Sequence, residues 1–163
     1  MNYFLESMTN EHRMPVIDIF NHFVEHSYAA YLEEKVGYEF FNRLFGISNG
    51  YSATVAKNDA GDVVGFAMMH AYHPARAFVR TAELTYFIHP EHTGKGIGRI
   101  FLDLFEGEAR RLGIDSLIAS VSSLNENSLQ FHRKCGFEEC GRFKKIGRKF
   151  GRDFDVVWMQ KRI

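Results

Sequence analysis

The chain has 163 residues, and its 20 Lys and Arg residues balance its 20 Asp and Glu residues, so its net charge is zero. This length predicts one domain, residues 1–163, and the balanced charge lacks the basic surface that nucleic acids and anionic membranes attract. No apolar run approaches the ~20 residues of a membrane span, and the start of the chain lacks a signal-peptide pattern, so we expect a soluble, cytoplasmic protein.

The first 50 residues predict one strand and two helices. Residues 3–8 are typical of a strand, and apolar residues at helical spacing then predict a helix over about 14–26. A second, short helix is expected over the aromatic segment 38–45, ending near Gly50. Both helices precede most of the predicted strands.

The centre of the chain predicts three strands. Residues 51–56 and 63–71 flank the turn-forming segment 58–61, so a hairpin is their simplest connection. A loop at 73–76 then leads to an aromatic and β-branched strand over 81–89.

A glycine-rich turn follows this strand and opens an amphipathic helix. The turn reads Gly94-Lys95-Gly96-Ile97-Gly98-Arg99, and the helix is expected to end at Gly113. Alternating glycines let a ligand touch the backbone, and the start of a helix offers unpaired N–H groups, so the turn is typical of a phosphate site. The helix also contains Gly107, which costs about 1 kcal/mol relative to alanine and therefore predicts close packing there.

The last third of the chain predicts, in order, a strand, a helix and two strands. Their ranges are 116–121, 125–134, 138–145 and 153–160. Either Ser123 or Asn125 can cap the helix, and a loop from Gly147 to Gly151 separates the last two strands. Taken in order, the elements predict an α/β fold, a mixed sheet with helices against it. Cys135 and Cys140 lack metal or redox spacing and are expected to be reduced structural thiols.

Several separated motifs accompany the glycine turn. They are Ile19-Phe20-Asn21-His22-Phe23-Val24, Thr81-Ala82-Glu83, Asn125-Glu126-Asn127-Ser128 with His132, Gly136-Phe137, and Gly147-Arg148-Lys149-Phe150-Gly151-Arg152 with Asp155-Val156-Val157-Trp158-Met159-Gln160. Together they resemble the GNAT acyltransferases, which transfer an acyl group from coenzyme A to an amine. The set is similar to the branch of phosphinothricin and methionine sulfoximine acetyltransferases. Thr93 departs from the pattern, because the family's glycine signature usually begins with Gln or Arg.

This resemblance implies a GNAT-like fold, a central twisted mixed sheet flanked by helices, and an N-acetyltransferase that uses acetyl-CoA and no metal. It also implies a homodimer. Glu83 is expected to accept a proton from the attacking amine, and His132 to protonate the departing thiolate. Cofactor contacts are expected at Tyr86, Phe87, Ile88, Gly94, Lys95, Gly96, Ile97, Gly98, Arg99, Asn125, Ser128 and Lys134. Acceptor contacts are expected at Tyr31, Arg76, Ala77, Phe78, Arg80 and Arg152.

Each assignment has a structural alternative. The glycines could serve only a tight turn, Glu83 could be a solvated strand residue, His132 could be held by one hydrogen bond, and Asn125 could be only a helix cap. The arginines could be solvated surface groups.

The expected acceptor is a small amine such as an amino acid, phosphinothricin or methionine sulfoximine. Alternatives exist both for this acceptor and for the class of protein. The acceptor could instead be a peptide or protein N-terminus or a polyamine. Two different classes are a dinucleotide-binding module and an acyl-CoA-binding protein without turnover. The pairs His70/His73 and His89/His92 lack the further ligands of a metal site and are interpreted as surface histidines.

Overall fold

The computed structural model describes residues 2–163, and its helices and strands follow the predicted order. The strands are β1 (Phe4–Ser7), β2 (Ala53–Lys57), β3 (Val63–Ala71), β4 (Thr81–Ile88), β5 (Ser116–Ser122), β6 (Glu138–Lys149) and β7 (Arg152–Arg162). The α-helices are α1 (Arg13–His26), α2 (Phe40–Gly46), α3 (Ile97–Arg111) and α4 (Glu126–Lys134). Short 3-10 helices cover Asn10–His12, Arg76–Phe78 and Pro90–His92.

The strands form one mixed sheet in the order β1-β2-β3-β4-β5-β7-β6. Neighbouring strands are antiparallel except for β4 and β5, which are parallel. Helices pack on both faces of this sheet, so the predicted fold class is confirmed.

The parallel pair in the middle of the sheet is very short. Thr81 to Glu83 of β4 pair with Ser116 to Ile118 of β5, and the pairing stops there. Residues 84–88 and 119–122 therefore leave a gap between two central strands.

The two faces of the sheet carry separate apolar clusters. Leu84 of β4 packs with residues of α3 and α4, including Phe105 and Leu129. Phe87 of β4 packs on the opposite face with residues of α1, including Ile17. Because side chains alternate along a strand, residues 83, 85 and 87 face α1, and residues 84, 86 and 88 face α3 and α4.

The helix ends follow the predicted signals. Gly113 has φ +75°, a left-handed conformation that favours glycine just after α3. Asn125 caps α4, since its Oδ1 accepts a hydrogen bond from the Ser128 amide at 3.3 Å. No helix within residues 2–163 has the length and apolar character needed to cross a membrane.

Two expectations were wrong. The loop predicted from Gly147 to Gly151 is mostly strand, and only Phe150 and Gly151 form the turn between β6 and β7. Both have positive φ values, 50° and 73°, which suit the tight turns of two-residue hairpins. Gly107 is exposed, and a Cβ there would meet nothing within 4 Å, so close packing does not require this glycine.

Cys135 is buried and Cys140 is exposed, and both thiols are free.

Candidate functional site

Two adjoining cavities lie at the gap between β4 and β5. The smaller, of about 80 Å³, is lined by Ala29, Leu84, Thr85, Tyr86, Phe87, Ala119, Ser120, Val121, Ser122, Asn125, Ser128 and His132. The larger, of about 350 Å³, is lined by Phe20, Ala29, Ala30, Tyr31, Leu32, Phe40, Arg43, Leu44, Ile47, Met68, Thr85, Phe87 and Ser120. The two share Ala29, Thr85, Phe87 and Ser120, so a ligand in one can touch a ligand in the other.

A carboxylate and two hydroxyl groups meet on the α1 face of the gap. Glu83 is the last residue of β4 that pairs with β5, and Ser120 lies just beyond the part of β5 that pairs with β4. The Ser120 Oγ donates a hydrogen bond to Glu83 Oε1 at 3.2 Å. The Tyr31 hydroxyl lies beside them: burial raises its pKa, Ser120 as a hydrogen-bond partner lowers it, and the charge of Glu83 raises it further. Ser120 thus holds one carboxylate oxygen of Glu83 where both cavities meet.

His132 is buried on the other face of the sheet, at 2% exposure. Its Nδ1 lies 2.7 Å from the carbonyl oxygen of Ser128. Since a carbonyl can only accept, Nδ1 carries the proton of the neutral ring and Nε2 keeps a lone pair. Burial lowers the pKa of His132, partly opposed by the Ser128 carbonyl, so the neutral form prevails at pH 7.

The ring of a tyrosine whose hydroxyl is buried lies near this imidazole. The ring centroids of Tyr86 and His132 are 5.8 Å apart, and both residues line the smaller cavity. Within the described part of the chain, the Tyr86 hydroxyl and His132 Nε2 are buried polar atoms without a hydrogen-bond partner. Burial raises the pKa of Tyr86 well above its usual value, so it remains a neutral donor. Two residues that line the smaller cavity therefore carry a buried donor and a buried acceptor that are unpaired among residues 2–163.

The glycine turn presents backbone amides at the start of α3. Gly94 and Gly96 have φ values of 72° and 90°, which only glycine adopts readily. The Arg99 amide donates to the Gly96 carbonyl at 3.0 Å, and across residues 2–163 no backbone carbonyl accepts from the amides of residues 94–98. These amides and the positive end of the helix dipole form a site for an anion such as phosphate.

Gly98 and Thr93 have other roles in this turn. A Cβ on Gly98 would lie 3.0 Å from the Phe131 ring, so this glycine permits close packing of α3 against α4. The Thr93 Oγ1 donates to the Pro90 carbonyl at 2.8 Å. The side chain that departs from the family signature therefore stabilises the preceding turn.

Sequence and structure comparisons place this arrangement in a known family. The model of the Acetyltransferase (GNAT) family matches residues 16–137. The chain belongs to the GNAT acetyltransferase family. It is 33% identical over 149 residues to an L-methionine sulfoximine/L-methionine sulfone acetyltransferase of Salmonella typhimurium, covering 89% of this chain and 85% of that protein. The family, the fold and the enzyme class predicted from the sequence are confirmed.

Two solved acetyltransferase structures are similar over nearly the whole chain. One is a phosphinothricin acetyltransferase from Sinorhizobium meliloti in complex with acetyl-CoA, with a TM-score of 0.92, 30% identity, and coverage of 100% of this chain and 89% of that one. The other is a ribosomal-protein-alanine N-acetyltransferase from Brucella melitensis, with a TM-score of 0.89, 33% identity, and coverage of 98% of this chain and 99% of that one.

The structure brings many of the predicted GNAT site residues together. Those that line a cavity are Tyr31, Tyr86, Phe87, Asn125, Ser128 and His132, with Glu83 hydrogen-bonded to a lining residue. Ile88 packs against the α3 side of the core, and Lys95 and Lys134 are exposed. Arg99 is also exposed and pairs with Asp103 at 2.8 Å.

The other predicted acceptor residues lie outside the linings of both cavities. Arg76, Ala77 and Phe78 form an exposed 3-10 helix. Arg80 forms an ion pair with Asp115, and Arg152 is exposed at the start of β7.

Two residues of this site were missed by the sequence analysis. Ser120 belongs to no motif, and the available signal is its two-residue spacing from Ile118, which places both side chains on one face of the predicted strand 116–121. Arg43 is the one charged side chain among the described residues that line the larger cavity. Its approach to the gap depends on how α2 packs, which sequence periodicity does not determine.

Proposed function

We propose that this GNAT enzyme transfers an acetyl group from acetyl-CoA to the primary amine of a small amino acid or analogue, such as methionine sulfoximine or phosphinothricin. The observation that carries the proposal is the Glu83–Ser120 pair where the two cavities meet. The names of the Salmonella relative and the Sinorhizobium structure support this acceptor class.

The described residues fit acetyl-CoA in three places. The free amides of residues 94–98 suit its pyrophosphate, and the unpaired edges of residues 84–88 and 119–122 suit the amide groups of its pantetheine arm. Asn125 and Ser128 line the same gap. When bound, acetyl-CoA supplies an activated acetyl group on sulfur. No group of three or more His, Cys, Asp or Glu side chains within residues 2–163 is placed to hold a metal ion.

Glu83 acts as the general base in this proposal. An acceptor in the larger cavity reaches the gap beside Ser120, whose Oγ orients one Glu83 oxygen. The carboxylate accepts a proton from the ammonium group, directly or through one water, which frees the nitrogen lone pair. Holding both substrates side by side makes the transfer effectively unimolecular.

His132 is the proposed acid for the sulfur, on the opposite face from Glu83. Since Nδ1 donates to Ser128 and Nε2 of the neutral ring carries a lone pair, Nε2 must first take up a proton from solvent and then give it to the departing thiolate of coenzyme A. The two faces of the sheet thereby divide the proton transfers.

The larger cavity suits a compact acceptor with an apolar body and a carboxylate. Its walls include Phe20, Phe40, Leu44 and Met68, and Arg43 supplies a positive charge. A guanidinium group binds carboxylates in a bidentate geometry. Contacts from Arg76, Arg80 and Arg152 stay predictions.

A protein N-terminus is a second candidate acceptor. It is favoured by the similar Brucella structure, which is described as a ribosomal-protein-alanine N-acetyltransferase. An N-terminal residue in a chain has no free α-carboxylate, so dependence on Arg43 separates the two acceptors.

A homodimer in the cytoplasm completes the proposal. The edge strand β6 exposes Phe143 and Ile146, at 54% and 59%, on an otherwise polar strand. Exposed apolar side chains on an edge strand favour contact with another chain. Sedimentation of the wild type and of Phe143→Asp tests this: a monomeric wild type contradicts the dimer.

The main experiment measures thiol release from acetyl-CoA with a panel of amines. The panel contains methionine sulfoximine, phosphinothricin, methionine, a polyamine and a peptide with N-terminal alanine. We expect turnover with amino acid-like acceptors, and Glu83→Gln should lose turnover while still binding acetyl-CoA. Turnover with the peptide or polyamine alone would replace the proposed acceptor. Saturable NAD binding without acetyl-CoA binding would overturn the proposal.

A further inference from the structure

Lys149 at the end of β6 is completely buried. Its Nζ donates to the carbonyl oxygens of Ser27 and Ala30, both at 2.7 Å, although these residues are more than 100 positions away in the chain. Nζ also lies 4.7 Å from the centre of the Phe150 ring, a cation–π geometry. A buried ammonium group is unusual. Here both of its hydrogen bonds go to the segment that contains Ser27 and Ala30, and they connect this segment to the β6–β7 turn.

The same turn contacts that segment at further points. The Phe150 amide donates to Glu33 Oε1 at 2.9 Å. The Phe150 ring meets Tyr28 with centroids 5.8 Å apart, and Phe154 of β7 stacks on Tyr31 at 5.6 Å. Contacts from a charge, an amide and two rings thus converge on residues 27–33.

The β6–β7 turn gives its first residue a conformation that this residue does not favour on its own. Phe150 has φ +50°, which is uncommon for a bulky residue. The contacts of Lys149 and of the Phe150 amide help to maintain this conformation.

Residues 27–33, named here the acceptor loop, form a wall of the larger cavity. The loop follows α1, and Ala29, Ala30, Tyr31 and Leu32 are lining residues. It contains neither helix nor strand, so its shape depends on contacts from outside.

We propose that Lys149 is a positioning residue for acceptor binding: its ammonium group fixes the acceptor loop and so sets the shape of the cavity. This inference rests on the proposed function for its kinetic test. Lys149 lines neither cavity, and its hydrogen bonds go to the loop, so its removal should weaken acceptor binding far more than acetyl-CoA binding.

The kinetic experiment compares Lys149→Met with Arg148→Met. Methionine keeps the length of the lysine chain but leaves both carbonyls without their donor, whereas exposed Arg148 pairs only with Asp153 on the same hairpin. For Lys149→Met we expect the KM for methionine sulfoximine or phosphinothricin to rise about tenfold, equivalent to about 1.4 kcal/mol. The KM for acetyl-CoA should stay within about twofold, and Arg148→Met should match the wild type.

Hydrogen exchange of residues 27–34 provides a readout that needs no acceptor. The Ser27 amide donates to the Phe23 carbonyl and the Ala29 amide to Ser27 Oγ, so both are protected when the loop is held. Lys149→Met should speed their exchange about tenfold, since the contact that restrains the loop is gone. Exchange in α3 should not change.

Glu33 is exposed, and two variants of it provide a second test in case Lys149→Met does not fold. Glu33→Ala removes the acceptor of the Phe150 amide and should raise the acceptor KM about threefold, while Glu33→Gln keeps an oxygen there and should restore most of the wild-type value. The inference is overturned if Lys149→Met leaves both the acceptor KM and the hydrogen exchange of the loop unchanged. If Lys149→Met is unfolded, the inference is overturned when Glu33→Ala has the same acceptor KM and the same loop exchange as the wild type. If the wild type acetylates no amine, the proposed function fails, and the exchange experiment still decides whether Lys149 holds the loop.

Discussion

Ser120 should act on catalysis only through Glu83. Removing the Ser120 hydroxyl leaves one carboxylate oxygen without the donor that lies 3.2 Å away. Hydrogen bonds to charged groups contribute about 1.5–3 kcal/mol, and this one is longer than the ~2.5–2.7 Å of short charge-assisted bonds, so the lower value applies. Ser120→Ala should therefore reduce kcat about tenfold.

Glu83→Gln should cost more, because it removes the base itself. General base catalysis contributes about 10²–10⁴-fold, so a loss of at least about 100-fold in kcat is expected. In the Glu83→Gln background no base is left to orient, and adding Ser120→Ala should cost less than about threefold. The resulting coupling energy is about 0.7 kcal/mol or more.

The assay is thiol release at saturating acetyl-CoA and acceptor for the wild type, both single variants and the double variant. Ser116→Ala is the matched control, since Ser116 lies on the same strand and bonds to Gln160 instead of Glu83. A tenfold loss from Ser120→Ala in the Glu83→Gln background would refute the argument. So would a Ser120→Ala enzyme with wild-type kcat.

Three further predictions concern stability and acceptor choice. Burial holds the pKa of His132 below 6.5, so the unfolded chain binds this proton more readily and the free energy of unfolding should fall as pH drops below 6.5. Urea unfolding at pH 7.5 and 5.5 should show a smaller fall for His132→Gln than for the wild type, and an equal fall contradicts this. Gly107→Ala should raise the free energy of unfolding by up to about 1 kcal/mol, since a Cβ there meets open space, and a destabilised variant would disprove it. Arg43→Gln should raise the KM for methionine sulfoximine about tenfold but not the KM for an amine without a carboxylate; equal effects on both acceptors count against a carboxylate contact.

Features encoded by neighbouring residues could be predicted from the sequence. The glycine turn, the end of α3 at Gly113 and the cap at Asn125 each depend on a conformation or hydrogen bond within a few positions. The family motifs then predict that Glu83 and His132 belong to the same site as the glycine turn, which periodicity alone does not do.

Features that depend on distant contacts could not be predicted in this way. The early end of the β4–β5 pairing, the approach of Ser120 to Glu83 and the burial of Lys149 against Ser27 all involve residues far apart in the chain. The β6–β7 turn was also missed because Phe150 adopts a positive φ value that propensity assigns to glycine or asparagine. The close packing expected at Gly107 was also wrong, because this glycine lowers helix stability without any close neighbour that requires it.

The gap between β4 and β5 has a consequence for the order of events during turnover. Glu83 and the larger cavity lie on one face of the sheet, whereas His132 and the glycine turn belong to the elements on the other. In the proposed reaction each substrate therefore has its own route to the gap, and neither needs to leave before the other arrives. Such geometry suits a ternary complex, and initial rates measured at several concentrations of both substrates should give intersecting reciprocal lines, not the parallel lines of a mechanism with an acetylated enzyme.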